Sequence, residues 1–74
     1  MFWANVDIPT KTCVIHKEEC WYVLKTEPPY KGIERFKRNG GWFRFPSIRE
    51  AENYAKEEWE AKGYKVWKCK RCFT

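Results

Sequence analysis

The residues best suited to chemistry in this chain are its four cysteines and its single histidine, which fall into two clusters. Cys13, His16 and Cys20 form the first cluster, and Cys69 and Cys72 form the second about fifty residues later. Zinc favours a tetrahedron of cysteine and histidine ligands that arrive as chelating pairs a few residues apart. Cys69 and Cys72 have this spacing, as does His16 with either of its neighbouring cysteines. The spacing therefore predicts one zinc site that joins the two ends of a single domain.

The two clusters offer five candidate ligands for four coordination positions. In a regular strand Cys13 and His16 point to opposite faces, so we do not expect both to reach one metal ion without a bend. We expect His16, Cys20, Cys69 and Cys72 to bind the metal, with Cys13 as a buried thiol nearby. A site of four cysteines, in which Cys13 replaces His16, is the alternative. Either set leaves no open coordination position, so the expected cofactor is one structural Zn2+ whose binding energy contributes to folding.

Chain length and composition place the protein among small domains that need a staple. We expect one domain, residues 1–74, because the chain is too short for two cores. A core of this size supplies only about 3–5 kcal/mol, so a metal ion or disulfides are expected to stabilise it. The N-terminus lacks a basic start with a long apolar run, and no stretch is long enough to span a membrane. We therefore expect a cytoplasmic (intracellular) protein with no membrane partner, in which reduced thiols bind zinc rather than form disulfides. Abundant lysine and glutamate without glutamine favour a thermophilic source.

One enzymatic signature needs to be weighed. His16 and Glu18, together with Cys69 and Cys72, are similar to the H-x-E…C-x-x-C motif of zinc nucleobase deaminases. The match fails because Lys68 stands where that motif has proline, and because too little chain follows the last cysteine to form a helix. A chain this short also cannot enclose a substrate pocket of the usual size. We expect no enzymatic activity and no small-molecule substrate.

Hydrophobic periodicity and turn signals predict the elements that position these residues. Strands are expected over residues 2–8, 12–16, 20–26 and 64–68. A helix begins at Ser47, where Ser47 and Glu50 form a capping box, and it ends at Gly63. The apolar stripe of this helix consists of Ile48, Ala51, Ala55 and Trp59. The expected fold class is α+β: a small zinc-stapled antiparallel β-sheet with one α-helix packed across it.

The strongest turn signal is Asn39-Gly40, which predicts a type I′ β-hairpin. A two-residue loop at this point pairs Arg38 with Gly41 and Lys37 with Trp42. One face of the hairpin is apolar and is expected in the core, and its residues are Phe36, Phe43 and Phe45. The other face is cationic and aromatic. Its candidate nucleic-acid-binding residues, counting the one at the turn, are Arg35, Lys37, Arg38, Trp42 and Arg44.

The order of these motifs resembles a known type of zinc module. The segments V-I-H-x3-C from Val14, G-W-F-x-F-P-S-x2-E-A from Gly41 and C-x2-C from Cys69 are similar to small zinc-binding modules of a bacterial and archaeal type. Such modules look like appendages of nucleases and DNA-repair proteins, and they include the Ada-like metal-binding domains. The resemblance covers about residues 12–72 and implies the H-x3-C…C-x2-C ligand set and an association with nucleic acid. The extra Cys13 departs from that pattern, and we expect the module to be free-standing rather than attached to an enzyme domain.

Charge and aromatic content favour a polyanionic partner. Lysine and arginine number 15 against 10 acidic residues, which gives a net charge of +5, and 19% of residues are aromatic. We expect nucleic acid, DNA in the first instance, to lie on the hairpin face with phosphates on the cations and a base on Trp42. In the plain alternative, Trp42 is covered and the cations form a solvated face. The other expected partner is a protein or a second copy of the chain, because five tryptophans are many for one small core.

Overall fold

The computed structural model describes residues 1–19 and 31–73. The elements in these ranges are β1 (Phe2–Asp7), β2 (Thr12–Lys17), β3 (Gly32–Ile33), β4 (Gly40–Phe45), α1 (Ile48–Tyr54) and β5 (Lys65–Lys68). The helix continues beyond α1 as a π-helical segment, Ala55–Trp59, and a 3-10 turn, Glu60–Lys62. The strands predicted over residues 2–8, 12–16 and 64–68 are therefore confirmed with small changes at their ends. The strand predicted over residues 20–26 lies outside the described residues.

The five described strands form one mixed sheet in the order β3-β4-β1-β2-β5. β1 is antiparallel to both β2 and β4, whereas the outer pairs, β2 with β5 and β3 with β4, are parallel. The α+β class is confirmed, but the prediction of an antiparallel sheet is wrong at both edges. The helix between β4 and β5 carries the chain across the sheet, and a crossover of this kind joins strands that run in the same direction. β5 therefore runs parallel to β4 and to its neighbour β2.

The turn before β4 lies one residue earlier than predicted. The Lys37 amide donates to the Gly40 carbonyl at 2.9 Å and the reverse bond is 3.1 Å, so Arg38 and Asn39 are the central residues. Asn39 does not have the positive φ that a type I′ Asn-Gly turn requires. Gly40 instead begins β4 with a φ of +122°, and a Cβ there would lie 2.0 Å from the Val6 carbonyl oxygen. The predicted hairpin pairing beyond this turn is wrong, because β4 pairs with β3 in parallel instead.

Side chains alternate between the two faces of the sheet along each strand, and both faces carry buried residues. The larger core lies between the sheet and the helix and contains Ala4, Val6, Cys13, Ile15, Ala51, Ala55 and Trp59. The opposite face carries a smaller core of Trp3, Trp42 and Cys69, with Val14, Ile33 and Cys72 packed against it. The predicted packing of the helix across the sheet is confirmed. The smaller core is where three of the candidate metal ligands meet: His16, Cys69 and Cys72.

The helix begins and ends at the residues that the sequence indicates. The Ser47 hydroxyl accepts a hydrogen bond from the Glu50 amide at 3.2 Å and lies 3.1 Å from the Glu50 carboxylate, to which it donates. Gly63 ends the helical segment with a φ of +91°, a left-handed conformation that glycine adopts without strain. No helix among the described residues is long and apolar enough to cross a membrane.

Candidate metal centre

Three of the candidate ligands converge on the face of the sheet opposite the helix. His16 lies near the end of β2, where strand alternation directs it away from the helix-side core. Cys69 directly follows β5, and its amide donates to the Ile15 carbonyl at 2.8 Å, which fixes the end of that strand against β2. A turn then brings Cys72 back toward the sheet, and the Phe73 amide closes it by donating to the Cys69 carbonyl at 3.1 Å. Local backbone geometry therefore presents both cysteines to the histidine.

The distances between these side chains fit a metal site. Their ligand atoms, one nitrogen and two sulfurs, all lie within 4.8 Å of one another. Nδ1 of His16 is 3.7 Å from Sγ of Cys72, although the two residues are 56 positions apart in sequence. In a tetrahedral zinc site with Zn–N of about 2.0 Å and Zn–S of about 2.3 Å, a nitrogen and a sulfur ligand lie about 3.5 Å apart. The group of His16, Cys69 and Cys72 could therefore hold a metal ion.

The surroundings of His16 keep its imidazole in the form that a metal ion requires. The residue is 5% exposed, and its ring centroid lies 5.1 Å from that of Trp42. Burial, and secondly the positive charge of Lys31, lower the pKa of His16 to about 4. The imidazole is therefore neutral at pH 7, and a neutral ring has a nitrogen lone pair available for coordination.

A partly buried ion pair lies near the ligand group, and the sequence did not indicate it. Nζ of Lys31 is 3.2 Å from Oδ1 of Asp7 and 5.9 Å from the ring centroid of Trp42. Burial acts to raise the pKa of Asp7, but hydrogen bonds from Thr10 and Lys31 outweigh it and hold that pKa below its usual value. The two partners are 24 positions apart, so no local spacing could reveal them. The positive charge of Lys31 acts on His16, and it would therefore favour a metal complex in which the two cysteines of the group are thiolates.

Of the two remaining cysteines, Cys13 lies apart from the group and Cys20 is not among the described residues. Cys13 is 0% exposed and belongs to the helix-side core, on the opposite face of the sheet from His16. Burial raises the pKa of Cys13 to about 12, so its thiol is neutral at pH 7. This is the placement that strand alternation indicates, and it leaves Cys13 unable to join His16 at one metal ion. Cys20, the remaining predicted ligand, lies outside the described residues.

The structure corrects the predicted nucleic-acid face at its central residue. Trp42 is 4% exposed, because the smaller core covers it, and a ring buried in this way cannot stack on a base. Arg44 is exposed, but its guanidinium donates to the Glu18 carboxylate at 2.8 Å and lies 5.8 Å from the ring centroid of Trp3. The other predicted contacts lie between β3 and β4, where the two arginines are exposed and the lysine is half-buried: Arg35, Lys37 and Arg38. These residues therefore do not surround an exposed aromatic platform made by Trp42.

Among the tryptophans that the structure describes, Trp67 is the exposed one. It lies on β5 and is 44% exposed, whereas Trp3, Trp42 and Trp59 are buried. Hydrophobic alternation along β5 is too short to distinguish its two faces, so the exposure of Trp67 was not predictable from local periodicity. Trp67 is therefore the aromatic side chain of the sheet that is best placed to meet a partner.

Comparison with known proteins found no matching family model, no matching curated protein and no matching solved structure. The resemblance to small zinc-binding modules therefore stays a prediction. The function of the chain has to be inferred from the geometry and charge of its own residues.

Proposed function

We propose that this protein is a zinc-stabilised domain that binds nucleic acid and has no enzymatic activity. The convergence of His16, Cys69 and Cys72 at ligand distances supports the metal site. Imidazole and thiolate donors are a set that zinc accepts readily and that hard cations such as magnesium and calcium avoid. Cys20 is the fourth ligand in this proposal, because it follows His16 at a chelating spacing. Cys13 is left out because it lies on the other face of the sheet.

The proposed zinc has a structural role. Four protein ligands leave no position for a reacting water molecule, and the site joins β2 to the turn that follows β5. Structural zinc binds small peptides with about 10–16 kcal/mol of apparent free energy, whereas the core of a domain this small supplies about 3–5 kcal/mol. We therefore expect the stability of the fold to depend on the metal.

Native mass spectrometry of the purified protein tests the metal site. We expect one zinc per chain, and we expect a chelator to remove it with loss of the near-ultraviolet circular dichroism of the buried tryptophans. Cys20→Ser should weaken zinc binding markedly, and Cys13→Ser is the matched control that should keep one zinc per chain. A metal-free chain whose mass is lower by four hydrogens would indicate two disulfides and would overturn the proposal.

The support for nucleic-acid binding is electrostatic. The chain has a net charge of +5, and most of its described lysines and arginines are exposed. A surface of this kind binds phosphates with an affinity that falls steeply as salt is added. Fluorescence anisotropy with labelled single-stranded and duplex oligonucleotides, at low and moderate salt, measures this directly. If the zinc-loaded protein binds neither oligonucleotide at low salt, the nucleic-acid part of the proposal is refuted.

The exposure of Trp67 favours a second candidate function, a zinc-stabilised protein-interaction module. Aromatic residues are enriched at protein interfaces, and a 44% exposed tryptophan is a natural anchor for one. In that case a partner protein or a second copy of the chain would cover Trp67. Sedimentation velocity of the wild type and of Trp67→Ala would then show self-association that the substitution removes.

A further inference from the structure

The positive charge of this protein is concentrated at one end of the chain. Residues 1–60 contain ten cationic and ten acidic side chains, so their formal charges cancel. Residues 61–74 contain five cationic side chains and no acidic one, so this segment alone accounts for the net charge of +5. The cationic residues of the segment are Lys62, Lys65, Lys68, Lys70 and Arg71. Any polyanion that binds through net charge is therefore drawn to β5 and the turn that follows it.

The exposed tryptophan lies in the middle of this cationic segment. Trp67 is in β5 between Lys65 and Lys68, and all three side chains are exposed. β5 is the outer strand on its side of the described sheet, next to β2. Lys70 and Arg71, which are also exposed, follow in the turn between Cys69 and Cys72. By strand alternation Lys65 and Trp67 point to the face of the sheet opposite the helix, whereas Lys68 points to the helix side, where its Nζ lies 3.9 Å from the Glu52 carboxylate. We call Lys65, Trp67, Lys70 and Arg71 together the β5 surface.

We propose that the β5 surface binds single-stranded nucleic acid, with one base stacked on Trp67 and the neighbouring phosphates held by the cationic side chains. This inference rests on the proposed nucleic-acid binding and moves its location from the predicted hairpin face to β5. Base stacking on an aromatic side chain combined with cations that follow the backbone is the general way in which proteins bind single strands. Both components are present at the β5 surface, whereas Trp42, the tryptophan of the predicted hairpin face, is buried.

Single strands fit this surface better than a duplex or a second copy of the chain. The faces of paired bases are covered by their stacked neighbours, so an exposed tryptophan gains a partner only from an unpaired base. A second copy docked on the same surface would bring the cations Lys65, Lys70 and Arg71 against their own kind, and like charges brought together at an interface are destabilising.

The metal site and the β5 surface are physically linked. Cys69 and Cys72 enclose Lys70 and Arg71, so ligands and cations belong to one turn. A metal ion held by His16 would fix this turn against β2 and would thereby hold its cations at a constant distance from Trp67. The zinc in this proposal organises the binding surface without touching the nucleic acid.

Anisotropy titrations with thymidine and uridine oligonucleotides of about 15 nucleotides, and with a duplex of the same length, test the inference on the zinc-loaded protein. We expect single strands to bind more tightly than the duplex. Trp67→Ala should weaken single-strand binding by about 5- to 150-fold, and Trp67→Phe should keep most of the affinity because it retains a stacking ring. Lys65→Ala should lower the slope of log affinity against log salt by about 0.7.

Two exposed cations outside the β5 surface provide matched controls. Arg38→Ala tests the predicted hairpin, and Lys56→Ala tests the helix; both should bind like the wild type. One zinc per chain and an unchanged circular dichroism spectrum in every variant would show that the fold is intact. If the wild type binds oligonucleotides but Trp67→Ala binds equally well, or if Arg38→Ala weakens binding more than Lys65→Ala, the β5 surface is refuted and nucleic-acid binding stands. If the wild type binds no oligonucleotide, the proposed function itself fails, and self-association that depends on Trp67 would assign the surface to a protein partner.

Discussion

Replacing Cys13 and Cys72 by alanine, one at a time, compares a cysteine of the core with a candidate metal ligand. Cys13 is completely buried among apolar side chains beneath the helix, whereas Sγ of Cys72 lies 3.7 Å from Nδ1 of His16. Each substitution removes one sulfur atom, so any difference between their effects on stability and metal binding arises from the positions of the two residues. We expect Cys13→Ala to lower stability with the metal site unchanged, and we expect Cys72→Ala to remove a ligand.

The sizes of the two effects follow from these positions. Loss of one buried heavy atom removes about 0.8 kcal/mol of apolar burial, and the cavity left in a packed core raises the cost to about 1–2 kcal/mol. Loss of a partner outside the ligand shell already weakens metal binding by about 10- to 100-fold, so loss of Cys72 should exceed about 100-fold. At a fixed excess of zinc, this removes at least about 2.7 kcal/mol of stabilisation.

Cobalt substitution is the assay that keeps the two effects apart. At saturating Co2+, absorption from thiolate-to-metal charge transfer reports how many sulfur ligands the metal has, even when the free energy of unfolding differs between variants. Cys13→Ala should reproduce the wild-type spectrum, and Cys72→Ala should lose the contribution of one thiolate. If Cys13→Ala loses a thiolate contribution while His16→Ala leaves the spectrum unchanged, the site consists of four cysteines and the reasoning from strand alternation is refuted.

Three further substitutions test contacts that support the fold. Asp7→Asn leaves the largely buried Lys31 without its counter-ion, so the free energy of unfolding in urea should fall by about 1–3 kcal/mol. The additional substitution Lys31→Met removes the unpaired charge and should recover this stability. An unchanged free energy of unfolding in Asp7→Asn would contradict the ion pair. The pKa of Asp7 in the folded protein lies below its ordinary value of 3.8, so the carboxylate adds to the free energy of unfolding above pH 3.8. This stabilisation is lost as the pH falls through the folded pKa. The stabilities of the wild type and of Asp7→Asn should therefore become equal in acid. Ser47→Ala removes the acceptor of the Glu50 amide and should cost about 1 kcal/mol in thermal unfolding, and a stability equal to wild type would argue against the cap. Gly63→Ala forces alanine to adopt a φ of +91°, and a Cβ at this position would have no atom within 4 Å. We therefore expect a loss of stability of about 1 kcal/mol in thermal unfolding that comes from backbone strain and not from a clash. A gain in stability would contradict this explanation.

The parts of the fold that the sequence predicted are those decided by neighbouring residues. A helix cap needs only a serine and the amide three positions on, and Gly63 needs only its own freedom at positive φ, so both helix ends were predictable. Strand alternation is equally local. It separates Cys13 from His16 without knowledge of any other strand, and the structure places them on opposite faces.

The parts that the sequence did not predict depend on residues far apart in the chain. β5 is parallel to β2 because the helix between β4 and β5 carries the chain across the sheet. Local hydrophobic periodicity does not indicate the direction in which a strand pairs. Trp42 does alternate with Phe43 as expected, but the face of β4 that carries Trp42 is covered, as in the alternative interpretation, and is not an open nucleic-acid face. This face has its own core because the C-terminal turn folds onto it and brings Cys69 beside Trp3 and Trp42. The Lys31–Asp7 pair arises from the same kind of long-range packing.

The weak burial of β5 gives a physical reason for a metal site at this end of the fold. Of its four residues only Val66 is half-buried, and the other three are exposed, so hydrophobic packing contributes little to holding the strand. Backbone hydrogen bonds to β2 are worth only about 1 kcal/mol each. A metal ion bound by His16 on β2 and by two cysteines just beyond β5 would hold the strand in place without using its side chains. The side chains of β5 would then have no part in anchoring the strand. They could be cationic and aromatic, as the proposed single-strand binding surface requires.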